Sequence, residues 1–95
     1  MEDWRLMGQE IYLKNKELYA VLPYEYAKTR SDGDFWHEHC EFCGTKITKN
    51  YKKRVFYCTT DYYHWICSKC YNDFKEMFGW IVVNQNDNNN QEDSK

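Results

Sequence analysis

Two cysteine pairs carry the most specific chemistry in the chain. Cys40–Cys43 and Cys67–Cys70 each have CxxC spacing, with 23 residues between Cys43 and Cys67. A CxxC turn delivers two thiolates to one ion, and two such turns complete the tetrahedral shell that Zn²⁺ takes in structural sites. Gly44 directly follows the first pair, where a zinc knuckle needs a tight turn. The expected site is therefore one structural Zn²⁺ per chain, held by Cys40, Cys43, Cys67 and Cys70. Four cysteine ligands leave no position open for water, so the ion is not expected to be catalytic. A redox CxxC would sit in a βαβ context, which the sequence lacks.

Further groups lie close by. His37 and His39 immediately precede Cys40, and Cys58 falls between the pairs. Any of the three is an alternative ligand or a supporting group beside the ion. Neighbours such as His39 and Cys40 rarely both reach one metal with good geometry, so a supporting role is expected for the histidines. Cys58 reads as a small buried hydrophobe or a free thiol.

His39-Cys40-Glu41-Phe42-Cys43-Gly44 has a superficial likeness to the first knuckle of HNH nucleases. Those enzymes add an Asp-His pair, an Asn-bearing loop and a His on the helix. Here His64 is the sole histidine between Cys43 and Cys67, and Ser68–Phe78 contains none. General-base and hydrolytic-metal chemistry both lack residues, so the chain is expected to be non-enzymatic with no small-molecule substrate.

A nucleic-acid role has one sequence argument. Lys46, Lys49, Lys52, Lys53 and Arg54 place five positive charges within nine residues, interleaved with Tyr51, Phe56 and Tyr57. Cations of this kind neutralise phosphates while aromatics stack on bases. The plainer alternative is a lysine-rich strand edge kept soluble and unpaired. Net charge favours that alternative: 13 basic and 15 acidic residues give −2, and the segment 84–95 supplies all of it. A neutral body has no global field to steer a polyanion.

The elements that must position the sulfurs follow from pattern. Val55–Tyr57, a Thr59-Thr60-Asp61 turn and Tyr62–Ile66 predict a hairpin between the two pairs. Beyond Ile66 the period lengthens: Cys67, Cys70, Tyr71, Phe74, Met77 and Phe78 share one helical face, and Gly79 sits at the C′ position. Upstream, Trp4, Met7 and Ile11 behind Asp3 predict an amphipathic helix, weakened by Gly8. Leu18, Ala20 and Leu22 predict a strand that Pro23 ends or confines to a sheet edge. Lys28–Asp34 reads as a loop and Trp80–Val83 as a short apolar strand. The segment Asn84–Lys95 has no apolar residue and reads as a disordered, Asn-rich acidic tail.

Knuckle, hairpin, then a helix whose first turn carries the last two ligands resembles a treble clef. The expected fold class is α+β, a single zinc-stapled domain over 1–83 with an added N-terminal helix and strand. Composition agrees with a stapled core. Leu, Ile, Val and Phe number 17, against 18 aromatic residues, and a core so poor in aliphatics gains from a metal staple. The aromatics also exceed what a small core can enclose. A protein-interaction or adaptor surface is therefore expected, with an unidentified partner or a homodimer formed through the Pro23 strand edge or Trp80–Val83. No apolar run is long enough for a signal peptide or membrane span, so a cytoplasmic location is expected.

Larger blocks also resemble a known group. Asp3-Trp4-Arg5, Gly8-Gln9-Glu10 and Tyr12-Leu13 precede His37-x-His39-Cys40-Glu41-Phe42-Cys43. Trp65-Ile66-Cys67-x-x-Cys70 then runs into Asp73-Phe74-Lys75-Glu76-Met77-Phe78-Gly79-Trp80. Together they look like a family of short, stand-alone bacterial proteins with a treble-clef-like four-cysteine site. The resemblance spans Asp3–Val83 and implies an intracellular zinc-binding domain. It implies no activity, substrate or partner.

Overall fold

The computed structural model describes residues 3–84. The fold is α+β, with two small sheets and three helices among those residues. In the chain they run α1 (Glu10–Leu13), β1 (Glu17–Val21), α2 (Pro23–Lys28), β2 (His37–His39), β3 (Lys46–Thr48), β4 (Phe56–Thr59), β5 (Trp65–Ile66), α3 (Ser68–Phe78) and β6 (Ile81–Val82). The larger sheet has the order β5-β4-β1-β6, and β2 pairs with β3 in the second. β1 runs antiparallel to β4, with Leu18 opposite Thr59 and Val21 opposite Phe56, and parallel to β6.

The predicted hairpin forms: β4 and β5 pair antiparallel, Tyr57 opposite Ile66 and Cys58 opposite Trp65. The loop between them is held by Asp61, whose carboxylate accepts from the Thr59 hydroxyl and the Tyr63 N–H. The predicted helix also forms. Cys67 occupies its N-cap in an extended conformation, while Cys70, Phe74 and Phe78 point inward. Gly79 ends it at φ 67°, ψ 35°, its N–H donating to the Lys75 carbonyl. That left-handed conformation suits glycine. Met77 departs from the prediction: it is exposed, at the solvent margin of the buried stripe.

Three expectations need correction. The N-terminal segment is not an amphipathic helix. Trp4, Met7 and Ile11 are 73%, 81% and 87% exposed, and only Glu10–Leu13 is helical. Gly8 at φ 91° interrupts the backbone, and the segment is pinned by Arg5, Gln9 and Leu13 rather than by its apolar periodicity. β1 is not an edge strand, since both its sides are paired. It stops before Pro23, which becomes the first residue of α2, where its missing N–H costs nothing. The edge near Pro23 therefore offers no free strand to a second copy; β6 is the exposed edge on that side of the sheet. Asn84 closes β6 by accepting from the Ala20 N–H at 2.7 Å and donating to the Ala20 carbonyl at 3.0 Å. The rest of the predicted tail lies outside the described residues.

The core is aromatic, as the composition requires. Trp36 and Trp65 meet edge-on at 5.2 Å, with Tyr26 against both. Phe42 contacts Phe74, Phe78 and Trp80 at centroid distances of 4.9, 5.4 and 5.8 Å. Edge-to-face pairs of this kind add about 0.5–1.5 kcal/mol each beyond simple burial. Two of the buried indoles find acceptors: Trp65 Nε1 donates to the Tyr62 carbonyl and Trp80 Nε1 to that of Leu13. Since Phe42 lies between Cys40 and Cys43, this packing and the placement of the first sulfur pair depend on each other.

Candidate metal centre

The first cysteine pair sits on the β2–β3 turn. Cys40 N–H donates to the Thr45 carbonyl and Gly44 N–H to the Cys40 carbonyl, closing the turn. Gly44 takes φ 78°, the left-handed conformation the sequence required of it. The second pair begins α3, with Cys67 at its N-cap and Cys70 one turn in. Strand β5 joins the two halves: Trp65 bridges to Cys40, and its carbonyl accepts from the Glu41 N–H at 2.8 Å.

The result is a cluster of four sulfurs, from Cys40, Cys43, Cys67 and Cys70, all within 4.8 Å of one another. Cys43 Sγ and Cys67 Sγ are 3.6 Å apart. Metal–sulfur bonds of about 2.3 Å at tetrahedral corners place neighbouring sulfurs about 3.8 Å apart, so the cluster has the size of a metal tetrathiolate. Among the described residues it is the one group of three or more metal-ligating side chains. Cys40, Cys67 and Cys70 are buried, and Cys43 is partly exposed.

Hydrogen bonds are already aimed at these sulfurs. Cys40 Sγ accepts from the Phe42 and Cys67 backbone N–H groups, each at 3.4 Å. Thr45 Oγ1 lies 2.9 Å from Cys43 Sγ. Arg5 Nη1 donates to Cys70 Sγ at 3.4 Å and to Asp73 at 3.0 Å, while its Nε donates to Asp3 at 2.9 Å. The same guanidinium lies 4.5 Å over the Phe74 ring. Asp3 is held down at about 2 by its hydrogen bonds from Arg5, and the pairing keeps Arg5 more firmly protonated than usual.

The thiols themselves are not equivalent. Hydrogen bonding to Cys67, with burial, pushes Cys40 up to about 12, and burial chiefly pushes Cys70 up to about 12. Cys67 is lowered by its bond from Cys40. Four thiolates packed together, three of them buried, are prohibitive without a compensating cation. A divalent metal would supply that charge, while Arg5, already paired with Asp3 and Asp73, adds a hydrogen bond to Cys70 Sγ.

Other predicted residues fall elsewhere. His37 and His39 lie exposed on β2, their rings 5.4 Å apart, outside the sulfur cluster. Cys58 is fully buried in β4 and is likewise outside it; burial pushes its thiol up to about 12. His64 packs on Tyr12, and its Nδ1 is 2.9 Å from the Glu41 carboxylate. The basic stretch does not form a uniform face. Lys49 pairs with Asp34 at 2.7 Å, Lys52 lies over Tyr24, and Arg54 lies over Tyr51 and Phe56. Lys46 and Lys53 are exposed.

Sequence reading did not assign roles to Arg5, Gln9 or Thr45. Gln9 is 3% exposed and ties the N-terminal segment to the knuckle, its Nε2 donating to the Arg5 and Glu41 carbonyls. Thr45, two residues past Cys43, was open to inference from its position. Arg5 is 65 residues from the sulfur it touches, and no local spacing reports such a contact. Among the described residues, no helix is long and apolar enough to cross a membrane. The chain matches no family model, no curated protein and no solved structure, and what the structure retains of the sequence resemblance is a four-cysteine cluster able to bind a metal.

Proposed function

We propose that this chain is a non-enzymatic binding module built around one structural Zn²⁺. The carrying observation is the sulfur cluster, with its four Sγ atoms within 4.8 Å, hydrogen-bond donors directed at Cys40 and Cys70, and the Thr45 hydroxyl 2.9 Å from Cys43 Sγ. Four soft thiolates at tetrahedral spacing suit zinc, and a shell closed by protein leaves no place for a hydrolytic water. A knuckle on β2–β3, a hairpin β4–β5 and a helix opening on the last two sulfurs support a treble-clef-like arrangement. Free thiols at a metal site fit a reducing, cytoplasmic compartment.

The interaction role is supported by side chains the core leaves outside. Trp4, Met7, Ile11 and Phe35 are all more than 70% exposed, and exposed aromatic and apolar groups mark protein contacts. Nucleic-acid binding by Lys46–Arg54 has less support, because Lys49 is engaged by Asp34 and Lys52 and Arg54 cover aromatics of the domain itself. Elemental analysis of protein purified without chelators tests the zinc reading: about one zinc per chain is expected, and a metal-free folded protein refutes it. Binding to single-stranded oligonucleotides that weakens steeply with salt and with loss of Lys52, Lys53 and Arg54 would replace the protein-interaction reading.

A further inference from the structure

The four sulfurs differ in access to solvent. Cys43 is the partly exposed one, while Cys40, Cys67 and Cys70 are 4%, 2% and 0% exposed. An open groove of about 760 Å³ runs beside the cluster, lined by Cys43, Cys67 and Cys70 with Trp4, Arg54 and Lys69 among others, and of these three cysteines only Cys43 has appreciable exposure. Cys40 is not among its lining residues. Within this groove Cys43 Sγ and Cys67 Sγ, from different knuckles, approach to 3.6 Å.

We infer that Cys43 is an oxidant-modification site, and that hydrogen peroxide, by joining Cys43 to Cys67, ejects the metal. The inference rests on the metal reading above. The Cys43 thiolate attacks one peroxide oxygen, the O–O bond breaks, and hydroxide leaves, giving Cys43 sulfenic acid. The Cys67 thiolate then attacks the Cys43 sulfur; an S–S bond forms and a second hydroxide departs. Two thiolates have lost two electrons, and the peroxide has been reduced to two hydroxides, protonated to water. The metal keeps two ligands, Cys40 and Cys70, and leaves as the dication, after which those thiolates take up protons.

Access decides which sulfur starts the reaction. Thiolate oxidation follows exposure as well as charge, and Cys43 faces the groove while its CxxC partner Cys40 lies behind it, screened by the Phe42 and Cys67 backbone. Arg54 and Lys69 line the same groove, which also holds the Asp3–Arg5 pair, and the excess of positive charge favours the departing hydroxide. Cys67 is the resolving thiol because its sulfur is already in contact. The first disulfide therefore crosses between knuckles instead of closing within one CxxC.

The test uses wild-type protein, as purified, treated with limiting hydrogen peroxide. Metal release is followed with a chromophoric chelator, and free thiols are alkylated before peptide mapping by mass spectrometry. The expected first product is a Cys43–Cys67 disulfide, with one metal released per disulfide and with Cys58 still reduced. A first disulfide within Cys40–Cys43 or Cys67–Cys70, early loss of the Cys58 thiol, or no oxidation under conditions that oxidise a free-thiol peptide overturns the inference. Protein that carries no metal at the outset contradicts the metal reading separately, and the peptide map then still reports which sulfurs join. Cys58→Ser should leave both the rate and the product unchanged.

Discussion

Arg5→Leu is the most informative single perturbation of the site. The Arg5 side chain is only 12% exposed, so its contact with Cys70 Sγ is made largely out of water. Among the described residues it is also the one cationic side chain that donates to a sulfur of the cluster. Removing a group that hydrogen-bonds a metal ligand typically lowers metal affinity about 10–100-fold, which corresponds to roughly 1.4–2.7 kcal/mol. Loss of the guanidinium over Phe74 removes a further 0.5–1 kcal/mol or so from folding. The Asp3 and Asp73 carboxylates are about a third exposed, so these pairs are only partly screened, and raising the salt concentration should not restore wild-type affinity in the variant. Arg5→Lys keeps a charge but lacks the planar fork that reaches Asp3, Asp73 and Cys70 together. Its affinity should fall between the two. The assay is competition for zinc against a chromophoric chelator, with Co²⁺-substituted protein scanned in parallel, because the sulfur-to-cobalt charge-transfer band reports electron density on the ligating sulfurs, Cys70 among them. A Leu variant with unchanged metal affinity and an unchanged cobalt band, whatever its melting temperature, refutes the role of this hydrogen bond at the site.

Other consequences are open to measurement. Because structural zinc contributes about 10–16 kcal/mol and small domains are stable by only about 5–15 kcal/mol, a strong chelator or Cys70→Ala should abolish cooperative thermal unfolding by circular dichroism; a native-like apo transition contradicts this. Gly79→Ala forces a side chain into φ 67° and brings a Cβ within 2.6 Å of Asn15 Oδ1, so a loss of about 1–2 kcal/mol is expected, read as a lower melting temperature, and an unchanged one counts against the αL cap. Cys58 should resist thiol reagents in folded protein at neutral pH. Its thiol is raised to about 12 from an ordinary 9, so the stability it contributes is complete below 9 and declines between 9 and 12, as the unfolded chain ionises first. Cys58→Ala should flatten that part of the alkaline stability profile, and an identical slope would rule the burial effect out.

The parts of the fold legible in the sequence are those set by local pattern. CxxC spacing, the turn glycine at Gly44 and the β-rich run into Ile66 each report a nearby backbone shape, and each appears in the structure, as does the helix after Ile66, where Cys70, Phe74 and Phe78 of the predicted face are buried and Met77 is exposed. The N-terminal segment misled because periodicity was the wrong signal there. Trp4, Met7 and Ile11 have helical spacing but bury nothing, while a polar pair, Arg5 and Gln9, does the docking through contacts 65 and 32 residues distant. Pro23 was read as a strand terminator, which it is; that it also begins a helix depends on Ala27 finding a buried place, a tertiary matter. At the site, the four sulfurs were legible and their surroundings were not. Spacing identifies groups that can ligate, whereas the donors that neutralise them arrive from wherever the fold brings a cation.

The central claim is a metal bound by four cysteine sulfurs and nothing else. X-ray absorption at the zinc edge, on protein purified without chelators, tests it directly. The account predicts a single shell of four sulfurs at about 2.3 Å with no nitrogen or oxygen neighbour. A shell containing imidazole nitrogen at about 2.0–2.1 Å would place His37, His39 or His64 on the ion and contradict the four-cysteine site.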